Sequence, residues 1–169
     1  VPHWGAVEAS VIGLVAGHES ARFGLMAFPQ DLPCTVSDVP DIPLTHFEAT
    51  ATFGAYFDAH GPGQTTPLLA ALEQVGGAAE GLLGGVQGIL VLRSDGEDTC
   101  EKMGPGPPPN RAGALAASTA SLLESHGVRT YVIVYNYGGD PQQLDADASA
   151  GGTPVVTHLA AGDEGELID

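Results

Sequence analysis

The sequence predicts an α/β protein built on one doubly wound, mostly parallel sheet with helices on both faces. Three observations carry that prediction. Segments with apolar residues at helical spacing alternate along the chain with short, nearly continuous apolar runs, so helices and buried strands follow one another. The chain has 169 residues, the size of one domain, and 43% of them are hydrophobic against 15% charged, enough to bury a core. Polar residues gather where strands end, which is where open parallel sheets place their sites.

The elements follow in order. Trp4, Val7, Val11, Leu14 and Val15 recur at helical spacing and Gly17 marks the stop, giving a first helix. The run ARFGLMAF, residues 21–28, closed by Pro29, reads as a buried strand. Residues 29–46 read as a Pro- and Asp-rich loop with a short edge strand around Cys34 to Val39, and a helix covers Glu48 to His60 until Gly61-Pro62-Gly63 breaks it. Thr66 and Pro67 suit the N-cap and first position of a helix running to about Glu80. Val86 to Ser94 is then a strand that runs straight into Asp95-Gly96-Glu97-Asp98. After an exposed GPGPPP loop at 104–109, a helix spans Arg111 to His126 with Gly127 as its cap, and Val128 to Asn136 is a strand. Gln142 to Ala150 is a helix ended by Gly151-Gly152, Pro154 to Leu159 a strand, and Asp163 opens one more helix.

A doubly wound sheet ordinarily starts with a strand that ends up in its middle, whereas this order starts with a helix. The expectation is therefore a single domain over residues 1–169 that lacks its first, central strand and is truncated at both ends.

Charge narrows the function. Twenty-one acidic residues stand against 5 basic ones, a net charge of -16, which repels phosphate backbones and anionic lipid surfaces. Nucleic-acid binding is excluded, and no apolar run is long enough for membrane insertion. Partners should be cations, basic surfaces, or proteins bridged by a metal. Cys34 and Cys100 are too few for a structural zinc site and leave either one long-range disulfide or two inert thiols. The six histidines are scattered, and no His-Glu-x-x-His, Gly-x-Ser-x-Gly or phosphate-loop motif occurs. The chain reads as non-enzymatic: a hydrolase working through the acidic cluster at 95–101 would need a nucleophile or metal centre that is not visible.

Two polar groups fall at the ends of predicted strands, Gly63 to Pro67 entering a helix and Ser94 to Glu97 on the turn after a strong strand. Each alone reads as a cap or a turn. In this order, GQTTPLLAAL and ILVLRSDGEDTC resemble the Thr loop and the fourth-strand motif of the von Willebrand factor type A domain family. ARFGLMAFP is similar to that family's second strand, and GVRTYVIVYN with Gly151-Gly152-Thr153 to its closing half. The resemblance covers nearly the whole chain and implies a Rossmann-like sheet. The family's Asp-x-Ser-x-Ser motif is absent from the sequence.

The resemblance implies a metal-ion-dependent adhesion site, with Thr66 offering a hydroxyl and Asp95 a carboxylate, and Thr65, Ser94 and Glu97 behind them. Such hard oxygen donors suit Mg2+, with Ca2+ or Mn2+ as substitutes, in a site that this chain alone leaves incomplete. The partner implied is a protein presenting a carboxylate. Asp98 and Glu101, with Glu97, read as a solvated acidic rim. In the expected sheet the loops holding Cys34 and Cys100 share one face, which favours a disulfide and an oxidising compartment. The resemblance is strongest to bacterial secreted or envelope-attached members. The alternative is a domain of the same fold that has lost metal binding and serves as a structural or assembly module.

Overall fold

The computed structural model describes residues 4–18, 20–29, 33–45, 49–63, 65–94, 98–100, 111–135, 141–154 and 157–159. The expected GPGPPP loop and the helix expected from Asp163 lie outside these residues. The element order is α1 (Trp4–Gly17), β1 (Phe23–Leu25), β2 (Ile42–Thr45), α2 (Ala49–Ala59), α3 (Leu68–Leu83), β3 (Ile89–Ser94), α4 (Arg111–His126), β4 (Arg129–Tyr135), α5 (Pro141–Ala150) and β5 (Thr157–Leu159).

The doubly wound sheet is not what forms. The described strands make two separate sheets: β1 and β2 pair as an antiparallel ribbon, and β3, β4 and β5 form a parallel sheet in that order. Double winding needs a strand from which the chain winds outward in both directions. Here the winding runs one way, from β3 through β4 to β5. The run expected to be a parallel strand, residues 21–28, narrows to Phe23–Leu25 and pairs antiparallel with β2 across an irregular register, Phe23 opposite Thr45 and Leu25 opposite Ile42. The edge strand expected at Cys34 to Val39 sits instead at Ile42–Thr45, where Pro43 is tolerated because among the described residues β2 has a strand partner on one side only.

Strand periodicity sorts the parallel sheet's residues between two cores. Leu92, Val132 and Val134 face one side, where Leu68 and Leu72 of α3, Leu115 and Leu122 of α4 and Leu144 and Ala148 of α5 pack on them. Ile133 and Val91 face the other side and meet Ala6 and Val7 of α1. A third cluster joins Val15, Ile42, Phe53 and Phe57, against which Trp4, Val11, Phe23 and Leu25 pack. Trp4 meets Phe57 edge-on with ring centroids 5.4 Å apart.

Glycines close two helices, of which the sequence predicts the one at Gly127. Gly84 (φ 58°) follows α3, its amide donating to the Glu80 carbonyl, and Gly127 (φ 66°) follows α4. At the end of α5, Gly151 presses on Thr130, where an added Cβ would lie 2.7 Å from the Thr130 Cβ. Thr153 then places its hydroxyl 2.7 Å from the Thr130 carbonyl and 3.0 Å from that of Ala148, pinning helix to strand.

Candidate functional site

The amino end of α3 meets residues 98–100, which follow β3 in the chain, and short polar contacts tie that meeting together. The Cys34–Cys100 disulfide forms, with Cα atoms 5.3 Å apart. Cys34 stands in the left-handed region at φ 61°, and its amide donates to the Thr65 hydroxyl at 3.0 Å. Thr66 is fixed by its backbone: its amide donates to the Thr99 hydroxyl at 2.9 Å, and its carbonyl accepts from the Thr99 amide at 3.1 Å. Thr65 and Thr66 are thus held between the segment after β1 and the segment after β3.

Thr66 is not the N-cap that the sequence suggests. Pro67 occupies that position without a side-chain cap, and Asp98 caps the helix from across the fold. Its Oδ2 accepts from the Leu69 amide at 2.8 Å and its Oδ1 from the Cys100 amide at 2.9 Å. Asp98 is 3% exposed, so it is no part of a solvated rim. A carboxylate there satisfies an orphan helix amide and lies at the positive end of the helix dipole. No local pattern announces this role, because donor and acceptor are 29 residues apart. Replacing Asp98 with Ala leaves two amides without their acceptor and should cost about 2 kcal/mol, with Asp98→Asn losing less, as read from urea unfolding midpoints. A loss within about 0.5 kcal/mol would show that water replaces the carboxylate.

Of the residues singled out from sequence, the structure brings Thr65, Thr66 and Ser94 to the border of one cleft, with Cys34 bonded to Thr65. Asp95 and Glu97 lie outside the described residues, as does Glu101. Among the described residues no group of three or more His, Cys, Asp or Glu could hold a metal ion. Each oxygen of Asp98 accepts a backbone amide, which fixes the carboxylate in the fold.

The cleft has a volume of about 1440 Å³ and runs between α1, β1 and β3. Tyr56 borders it, and burial, with the Asp41 charge and a hydrogen bond to Asp41 adding to it, pushes the phenol up to about 12. It therefore stays neutral at physiological pH. Gly63 lies against the Pro29 ring at the rim, closely enough that a Cβ would overlap it.

No known family's sequence profile matches the chain, and no curated protein matches it. Solved structures do. The proximal thread matrix protein 1 from the mussel byssus superposes with a TM-score of 0.59 at 20% identity over 98% of this chain. A second crystal form of that protein gives 0.60 at 19% identity, again over 98% of this chain. The chain spans 39% to 40% of the length of those proteins. At this identity the likeness concerns the fold alone.

Among the described residues no helix is long and apolar enough to cross a membrane. The disulfide fits a protein of an oxidising compartment.

Proposed function

We propose that the chain is a non-catalytic, secreted or envelope-attached protein-recognition module that engages a partner's carboxylate through a divalent cation beside the amino end of α3. The observation that carries this reading is the state of Thr66. Its amide and carbonyl are both engaged by Thr99, while its hydroxyl makes no hydrogen bond among the described residues. A hydroxyl on a fixed backbone is a preorganised oxygen donor, and Asp95 follows directly on the last residue of β3, Ser94. A hydroxyl and a carboxylate are hard donors that suit Mg2+, which keeps several waters and so leaves room for a partner's oxygen. The Thr65 hydroxyl, accepting from Cys34, holds the loop rather than the ion. The resemblance of GQTTPLLAAL and ILVLRSDGEDTC to the von Willebrand factor type A family supports the same assignment.

Magnesium at a hundred times its Kd should stabilise the protein by about 2.7 kcal/mol, seen as a rise in Tm. Thr66→Ala and Asp95→Ala should each abolish that rise while leaving the circular dichroism spectrum unchanged. No rise in the parent protein, or an undiminished one in Asp95→Ala, sinks the reading.

A metal-free structural or assembly module is the second reading, supported by the fold likeness to a byssal thread matrix protein. Partner binding that survives chelation would favour it.

A further inference from the structure

The Cys34–Cys100 bond joins the segment after β1 to residues 98–100, and these two segments grip the amino end of α3 from either side. The Cys34 amide donates to the Thr65 hydroxyl, and the Thr66 amide to the Thr99 hydroxyl. The Thr99 amide donates to the Thr66 carbonyl, and the Leu69 amide to Asp98 Oδ2. Asp98 is oriented by the same segment, its Oδ1 accepting from the Cys100 amide. Every one of these contacts is made by a cysteine or by a residue within two positions of one.

The backbone of Cys34 depends on the bond. Its φ of 61° lies in the left-handed region, which a Cβ disfavours and which persists only where the surroundings impose it. The sulfur bond fixes the side chain there, and the Thr65 hydroxyl holds the amide. With the sulfur freed, the backbone is drawn towards negative φ and the amide turns off Thr65. Residues 98–100 lose their covalent anchor at the same moment, and hydrogen bonds at the exposed Thr99 contribute little by themselves. Both cysteines are half-buried and stand beside the exposed Pro33 and Thr99, which puts the bond within reach of a small thiol. The parallel sheet packs on its helices through Leu72, Leu115, Leu122 and Leu144, contacts in which the bond takes no part.

We propose that this disulfide is a redox latch on the amino end of α3: oxidised, it holds Thr65 and Thr66 in place, and reduced, it releases them while the parallel sheet stays folded. A dithiol reductant attacks one sulfur, and its second thiol resolves the mixed disulfide. The Cys34–Cys100 bond breaks to give two thiols, and the two sulfurs of the reductant join, having given up two electrons and two protons. The site is thereby assembled where disulfides persist and disassembled where thiols prevail. Where it holds a cation, freeing Thr66 removes a preorganised donor, so reduction weakens binding. That consequence rests on the cation reading; the latch itself does not.

Amide hydrogen exchange, followed residue by residue by NMR before and after treatment with dithiothreitol, tests the latch. The amides of Cys34, Thr66, Leu69, Thr99 and Cys100 are the donors in the grip, and those of Val128 and Thr130, bonded to Leu122 and Gly151, serve as reference. Both groups should be protected in the oxidised protein. After reduction the first group should exchange within about tenfold of an unstructured chain, while the reference stays at least about a hundredfold slower than one. Reoxidation should restore the first group. Persistent protection of the first group overturns the latch, as does free exchange there before reduction. Loss of protection in both groups together also overturns it, by making the bond a staple of the whole fold.

Titration of the same two samples with Mg2+ separates the latch from the cation reading. Affinity at least about tenfold weaker after reduction is expected, and equal affinity overturns control of the site by the bond. No binding by the oxidised protein sinks the cation reading, and hydrogen exchange still decides the latch.

Discussion

Replacing both Cys34 and Cys100 with serine should lower the stability of the protein by about 4 kcal/mol. The bond joins residues 66 apart, so its loss returns a long loop's worth of freedom to the unfolded chain. The native state has specific reasons to depend on it. Among the described residues the antiparallel ribbon and the parallel sheet share no ladder, and their cores are separate clusters bridged through α1, where Val7 packs against Ile133 and its carbonyl accepts from the Arg93 Nη1 at 3.1 Å. The disulfide is the covalent tie between the segments that follow β1 and β3, and the Cys34 amide bonded to Thr65 adds the amino end of α3 to that tie. Urea unfolding of the double variant, and of the parent protein with and without reductant, measures the cost. A loss near 4 kcal/mol is a large share of the roughly 5–15 kcal/mol typical of a domain, so reduction should bring the protein close to unfolding. A change below about 1 kcal/mol would mean that the unfolded chain is already compact around these residues.

The helices were legible because each carries its own punctuation. The extent of α4, Arg111–His126, is settled by local pattern and by Gly127, and α1 ends at Gly17 as expected. The strands were legible only as apolar runs. ARFGLMAF gives no sign of which neighbour it pairs with, and a continuous apolar run fits a parallel strand as well as a bent ribbon edge. Pro43 hid β2, since proline argues against a strand unless one side of it is unpaired. Pairing is a property of two distant segments, and the step from one doubly wound sheet to two smaller sheets was lost there.

The polar cluster was half legible for a similar reason. Cys34 and Cys100 were paired correctly through the loops that hold them. In sequence Asp98 reads as solvated rim because its acidic neighbours Glu97 and Glu101 set the context, whereas in the fold its oxygens accept the amides of Leu69 and Cys100. Thr66 and Asp98 exchange the roles their sequence context suggests: the apparent cap keeps a hydroxyl in reserve, and the apparent rim residue caps the helix.

Substituting Asp147 with Asn should make the protein more stable above pH 7 and flatten its stability between about pH 4 and pH 7. Asp147 sits on α5 where that helix packs on α4, is 3% exposed, and has an Oδ1 with no hydrogen-bond partner. The Thr119 hydroxyl approaches its backbone carbonyl at 2.9 Å rather than its carboxyl group. Burial without compensation disfavours the charged form, pushing the carboxyl from 3.8 up to about 7. The native state therefore holds a proton that the unfolded state has already released over this interval, and stability must fall as pH rises. The contribution is fully present below about pH 4 and is lost by the time pH has passed about 7. A shift of about three units corresponds to a ceiling on the order of 4 kcal/mol. Asn cannot ionise, so it removes the slope, and it keeps one polar group too many in the α4–α5 contact at every pH. Unfolding midpoints of both proteins from pH 4 to pH 8 give the test. The two curves should converge or cross toward pH 4 and diverge in favour of Asn above pH 7. Parallel curves would show that Asp147 is charged in the native state throughout, with its carboxylate stabilised by water or by residues outside those described.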